Sequence, residues 1–140
     1  MRRFSRTWVR STQPRKQRKY RNQAPLHVRQ KLMAAHLDKK LREQYNKRSL
    51  QVRKGDEVVV MNGEHRGKKG LVATVDMKKL KIYVDTVKVK KVSGQDVQMA
   101  LDPSNVKITK LMLDDRMRKK AVDRAKGAEP KKSAKAEKKE

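Results

Sequence analysis

The chain contains no cysteine. Disulfide bonds, thiol chemistry and any zinc site built on cysteine are therefore excluded, and a reducing compartment fits. Apolar residues are also scarce. They make up 35% of 140 residues, against 39% that are charged. A chain of this length reads as one domain, and so few apolar groups build a small core rather than one that fills the whole chain. No apolar run approaches the roughly 20 residues that span a bilayer. No apolar signal-peptide segment follows Met1. Acids are missing from the beginning of the chain, where the first is Asp38.

Positive charge fills the space that these absences leave. Forty Lys and Arg stand against 15 Asp and Glu, a formal net charge of +25. A free globular protein gains nothing from such self-repulsion. A polyanionic partner accounts for it, and nucleic acid is the commonest one. A membrane surface is the rival polyanion. It requires a basic amphipathic helix with a strong apolar face, and none stands out. The opening MRRFSRTWVRST is rich in Arg and Ser and has no acid. It has the composition of an organellar transit peptide, a reading secondary to that of a basic arm.

The stretch that organises the rest is 52–76, VRKGDEVVVMNGEHRGKKGLVATVD. Two short β-branched runs, Val58 to Met61 and Leu71 to Val75, flank a glycine-containing loop, which is the signature of a β-hairpin. Gly63, Gly67 and Gly70 bracket Arg66, Lys68 and Lys69. Glycine permits tight turning and close approach, so cations carried there are placed to meet phosphates.

The pattern VRKGDEVVV…G…GKKGLVATV resembles the KOW motif of ribosomal proteins and transcription elongation factors. The likeness extends to PRKQRKY at 14–20, APLH at 24–27, KLMAAHL at 31–37, LREQY at 41–45, RSLQVRKGD at 48–56 and DPSNVKITKL at 102–111. Together these motifs resemble the ribosomal large-subunit protein family numbered twenty-four, twenty-six in eukaryotes, in its archaeal and eukaryotic form. The resemblance covers about residues 13–113. It implies a mainly β fold, a small SH3-like KOW barrel over 48–113, preceded by short helices at 25–47. A basic arm at 1–24 and a basic helical or disordered tail at 114–140 extend it at both ends. It also implies large-subunit ribosomal RNA and neighbouring ribosomal proteins as partners, no small-molecule substrate and no cofactor. A cytoplasmic ribosomal location, early assembly and a position near the peptide exit tunnel follow from the same resemblance.

Taken in order, the arm crowds Arg15, Lys16, Arg18, Lys19 and Arg21 around Tyr20. Like charges repel and little apolar surface rewards burial, so alone this segment is expected to be disordered. On RNA its cations meet phosphates and Tyr20 can stack on an unpaired base. Composition alone leaves a solvated basic tail equally open, and the PRKQRKY match favours RNA contact. The first twelve residues, with the sole tryptophan Trp8, have no counterpart in the family pattern. Pro25 fits a first helical turn, and Leu26, Leu32, Met33 and Leu37 have helical spacing. Asp38 is a candidate N-cap for a second helix to Tyr45, with Asn46 as its stop. Within this basic surround, His27, Arg29, Lys31 and Arg48 join the RNA-binding candidates, as do Lys54, His65, Arg66, Lys68 and Lys69 of the hairpin region.

Residues 48–52 read as a connector. Alternation predicts strands at 81–84 and 87–92. Segments 96–101 and 106–110 read as a further hairpin around Asp102-Pro103-Ser104-Asn105, which is good turn chemistry. The expected core is Val58, Val60, Val72, Val75, Ile82, Val84, Val87, Val89, Val97, Val106 and Ile108. After Asp114-Asp115 a mixed basic helix is expected to about Ala125.

Other chemistries lack support. A phosphate-binding P-loop needs four residues between its glycines and Ser or Thr after its Lys. Here three lie between Gly63 and Gly67, and Lys69 takes the hydroxyl position. His27, His36 and His65 show no metal-ligand spacing. The acids form no paired-carboxylate site, and Asp56 and Asp102 read as turn or cap residues. The leading expectation is a ribosomal structural protein that binds large-subunit RNA. The rivals are a transcription-elongation KOW module that binds RNA or polymerase, a DNA-compacting protein and, last, an enzyme.

Overall fold

The computed structural model describes residues 11–126. Trp8 and the tail beyond Lys126 lie outside them. Pro14 opens the first helix, α1 (Pro14–Gln23), where its missing N–H costs nothing. No residue of α1 is buried. The arm was expected to lack structure of its own. It does fail to pack inward, but it is helical along this stretch. Pro25 then stands at the N-cap of α2 (Leu26–Leu32), which ends at Met33.

The next four residues depart from the helical expectation. Ala34–Leu37 is a strand, β1. Leu32, Met33 and Leu37 fit a helical stripe, but Met33, Ala35 and Leu37 also fit a period of two, and a run this short leaves the two undecided. Pairing decides: β1 lies antiparallel to β2 (Ser49–Gln51) and parallel to β7 (Val106–Lys110). Met33, Ala35 and Leu37 are each 1% exposed. The stretch read as a connector therefore contains a strand. Between β1 and β2 runs α3 (Lys39–Tyr45), with Asp38 at its N-cap and Asn46 left-handed at its end. The Asp38 carboxylate makes no capping bond. It pairs with Lys107 at 2.9 Å instead.

The hairpin at the centre forms as expected, with β3 (Glu57–Val60) antiparallel to β4 (Lys69–Asp76). The strands expected at 81–84 and 87–92 are one strand, β5 (Lys81–Lys90), with a break in register near Asp85 and Thr86. β6 (Asp96–Leu101) pairs with β5, while β7 pairs with β3 and β1. These last two segments therefore do not form a hairpin with each other. The Pro103–Asn105 3-10 turn carries the chain from the sheet edge to its middle, and Asp102 there pairs with Lys81 at 2.8 Å. The strand order is β2-β1-β7-β3-β4-β5-β6. This is one seven-stranded sheet, not closed into a barrel, because its end strands β2 and β6 do not pair. The fold is thus mainly sheet with several helices, and α4 (Arg116–Lys126) completes it.

Alternation sorts the two faces. Val58, Val60, Val72, Ile82, Val84, Val87, Val106 and Ile108 are all buried in one cluster, as expected. Met33, Ala35, Leu37, Val52, Leu80 and Leu101 join them. Val75 is only partly buried. Val89 and Val97 are 46% and 41% exposed and are not core. They face each other on the part of β5–β6 that β4 does not reach, so nothing covers them from that side.

Candidate nucleic-acid interface

The loop between β3 and β4 is held by its own backbone. Gly67 N–H donates to the Val60 carbonyl at 2.8 Å and Val60 N–H donates to Lys68 at 3.0 Å. Within the loop, Arg66 N–H reaches the Gly63 carbonyl at 3.1 Å. Met61 N–H ties the loop to Asn105 at 2.8 Å. Gly63 and Gly67 have φ of +92° and +87°, and a Cβ at either would meet nothing within 4 Å. Their requirement is therefore conformational, since L side chains disfavour this region. The consequence is chemical: Arg66, Lys68 and Lys69 all stand exposed around the turn. His65 does not join them. It is 9% exposed, and its Nε2 is buried without a hydrogen-bond partner. Its carbonyl accepts from Lys68 N–H at 3.2 Å, so His65 sits beneath the loop, apart from the exposed cations.

Gly70 follows a different rule. A Cβ there would lie 2.4 Å from Asp85 Oδ1 and from Thr86 Oγ1. Asp85 Oδ1 accepts from Leu71 N–H at 2.9 Å and from Thr86 N–H at 2.7 Å. The glycine lets this side chain bridge the break between β4 and β5.

The remaining candidates lie away from the loop. Lys54 is exposed just before Gly55, whose N–H donates to Val72 at 2.9 Å. α1 shows Arg15, Lys16, Arg18, Lys19 and Arg21 exposed and Tyr20 half-exposed. Arg15 and Lys19, and likewise Arg18 and Arg21, stand one helical turn apart, where like charges repel. An anion on that face removes the penalty. His27, Lys31 and Arg48 are also exposed. Arg29 differs. Its guanidinium donates to the carbonyls of Ala24 and Lys78, each at 2.8 Å, and to that of Asn22. These bonds bind the helices to the β4–β5 turn, which makes Arg29 a brace between elements. β4 is eight residues long, so the arm and the loop lie on the order of 25 Å apart along it. The loop and the arm are thus two separate basic regions, and Arg48, whose carbonyl accepts from Leu37 N–H just before β2, belongs to neither.

Two features escaped the sequence. Asp56 and Arg118 form a buried ion pair, at 2.6 Å between Oδ2 and Nη2. Asp56 does hold its turn, accepting from Arg53 N–H at 2.9 Å, but it also anchors α4. No local pattern announces a partner so distant in the chain. Lys107 is the second. The alternation Val106-Lys107-Ile108 was a signal that it faces away from the core.

Among the described residues no group of three or more His, Cys, Asp or Glu could hold a metal ion. No helix among them is long and apolar enough to cross a membrane.

The model of the ribosomal protein family numbered twenty-six in eukaryotes and twenty-four in archaea matches residues 11–125. The large ribosomal subunit protein uL24 of Methanothrix thermoacetophila is 51% identical over 114 residues, which cover 81% of this chain and 98% of that protein. The uL24 of Methanocorpusculum labreanum is 49% identical over 110 residues, 79% of this chain and 91% of that protein. That of Methanospirillum hungatei is 49% identical over 112 residues, 80% of this chain and 93% of that protein. A match that spans both basic regions and the hairpin between them leaves one conclusion: the chain belongs to the uL24 family of large-subunit ribosomal proteins, in its archaeal and eukaryotic form.

Proposed function

We propose that this ribosomal protein is a structural constituent of the large subunit that grips ribosomal RNA at two separate basic regions. It is not an enzyme; its relatives are structural proteins of the ribosome. It works in the cytoplasm as part of that particle, beside neighbouring ribosomal proteins. The observation that carries the reading is the loop 63–69. Two glycines at positive φ hold Arg66, Lys68 and Lys69 outward in a chain whose net charge is +25. The β3–β4 hairpin is the KOW element in this reading. The helical arm, with Tyr20 among its cations, takes a second RNA segment. RNA shape and backbone dominate the docking, because the exposed groups are mostly cations suited to phosphates.

Binding releases counterions, so the affinity of the isolated protein falls steeply with salt. Once seated, a protein held by two regions far apart resists stripping. Early assembly on the RNA and a place near the exit tunnel extend the proposal and are supported by family membership alone. The test is sedimentation of native particles through sucrose at low and at high salt. Co-migration with the large subunit is expected in both. Sedimentation with polymerase or with chromatin would overturn the reading.

A further inference from the structure

The face of the sheet opposite the core carries residues that the two basic regions do not use. Cross-strand partners share a face. Ser49 pairs with His36, His36 with Lys107, Lys107 with Val59, and Val59 with Lys69. These five residues therefore form one continuous row across β2, β1, β7, β3 and β4. The row lies opposite the core, since the residues beside them in sequence, such as Leu37, Val58 and Ile108, are buried. At about 4.8 Å between strands the row is about 19 Å long. It ends at Lys69, within the basic loop. Ser49 and Lys69 are exposed, and the Lys107 side chain is 38% exposed.

We propose that this row is a further RNA-backbone track, with Lys107 as its central contact, continuous with the loop through Lys69. It rests on the reading that the partner is RNA. The chemistry of the row favours that partner over a protein. Its apolar member, Val59, is 9% exposed and offers little surface to an apolar partner. Its other members are two lysines, an imidazole and a hydroxyl. Lysines meet phosphates, and the exposed Ser49 hydroxyl suits the 2′-hydroxyls of a wide, shallow minor groove, while the half-buried His36, with its Nδ1 enclosed, fills the row between them. The acid nearest to the row's centre, Asp38, is engaged with Lys107 at 2.9 Å. In the free protein Asp38 thus holds the Lys107 ammonium, and RNA phosphate competes for it.

The experiment uses the full chain and large-subunit RNA transcribed in vitro, with Kd measured across a salt series. Lys107→Gln is expected to weaken binding and to lower the salt slope by about 1. Asp38→Asn retains a good N-cap residue and replaces the charged partner of the ammonium with a neutral acceptor, which loosens its hold. It is expected to act in the opposite direction, with tighter binding and a steeper slope. Thermal melts check that both variants fold. Unchanged binding in both variants overturns the proposal. So does weakening in both in step with lost stability, which marks the pair as a strut only. A double Ala variant at Arg66 and Lys68, which leaves every member of the row in place, separates the two claims. If it weakens binding while Lys107→Gln does not, the track is rejected and the RNA reading stands. If neither weakens binding, both fall.

Discussion

Arg118 and Asp56, 62 positions apart, meet as a two-pronged ion pair, Nη1 to Oδ1 at 2.7 Å and Nη2 to Oδ2 at 2.6 Å. Their side chains are 4% and 0% exposed. The carboxylate also accepts from Arg53 and Met112 N–H, at 2.9 and 3.0 Å. Arg118 Nη1 and Nη2 also donate to the Met112 and Gln51 carbonyls, at 2.8 and 3.2 Å. The pair joins α4 to the turn that starts β3 and carries Lys54.

Removing one member leaves the other charged and buried. Arg118→Met is therefore expected to cost about 3–5 kcal/mol of folding stability. Asp56→Asn is expected to be comparable, and the double variant to cost less than the two added together. Urea denaturation followed by circular dichroism measures this. A cost for Arg118→Met below about 1 kcal/mol would mean that water reaches the pair.

Gly70→Ala drives a methyl against Asp85 Oδ1 and Thr86 Oγ1, and to 2.7 Å from Val84 Cγ1. Asp85 cannot yield without releasing two backbone donors. Overpacking of this kind is expected to cost about 1–3 kcal/mol. A melting temperature indistinguishable from that of the unaltered chain would show that the β4–β5 break adapts freely.

The hydrogen bond from Lys107 holds the Asp38 carboxyl below its ordinary value of 3.8, and the charge of that lysine acts the same way. A carboxyl depressed on folding stabilises the protein above its unfolded value, and the contribution disappears as pH falls through the folded one. The stability gap between the unaltered chain and Lys107→Gln should thus be full at neutral pH and close below about pH 3.8. The pair is part-exposed, so salt should shrink the gap. A gap that persists to about pH 2 would assign it to Lys107 packing alone.

What the sequence determined by itself was whatever depends on near neighbours. Val58 and Val60, and Val106 and Ile108, show their buried face by alternation. Gly63 and Gly67 mark a turn because only that backbone conformation needs them there. Excess charge names a polyanion without any structure, because charge acts regardless of fold. The tertiary structure alone decided everything that rests on a distant partner. Ala34–Leu37 became a strand because β2 and β7 lie beside it, against the helical spacing of its own residues. β6 and β7 paired with other strands rather than with each other, and the sheet stayed open. Arg118 looked like one more surface cation until the fold buried it against Asp56. Arg29 and His65 stand apart from the exposed cations for the same reason: a side chain's task is set by the groups folding brings to it, and those lay far off in the chain or across a turn.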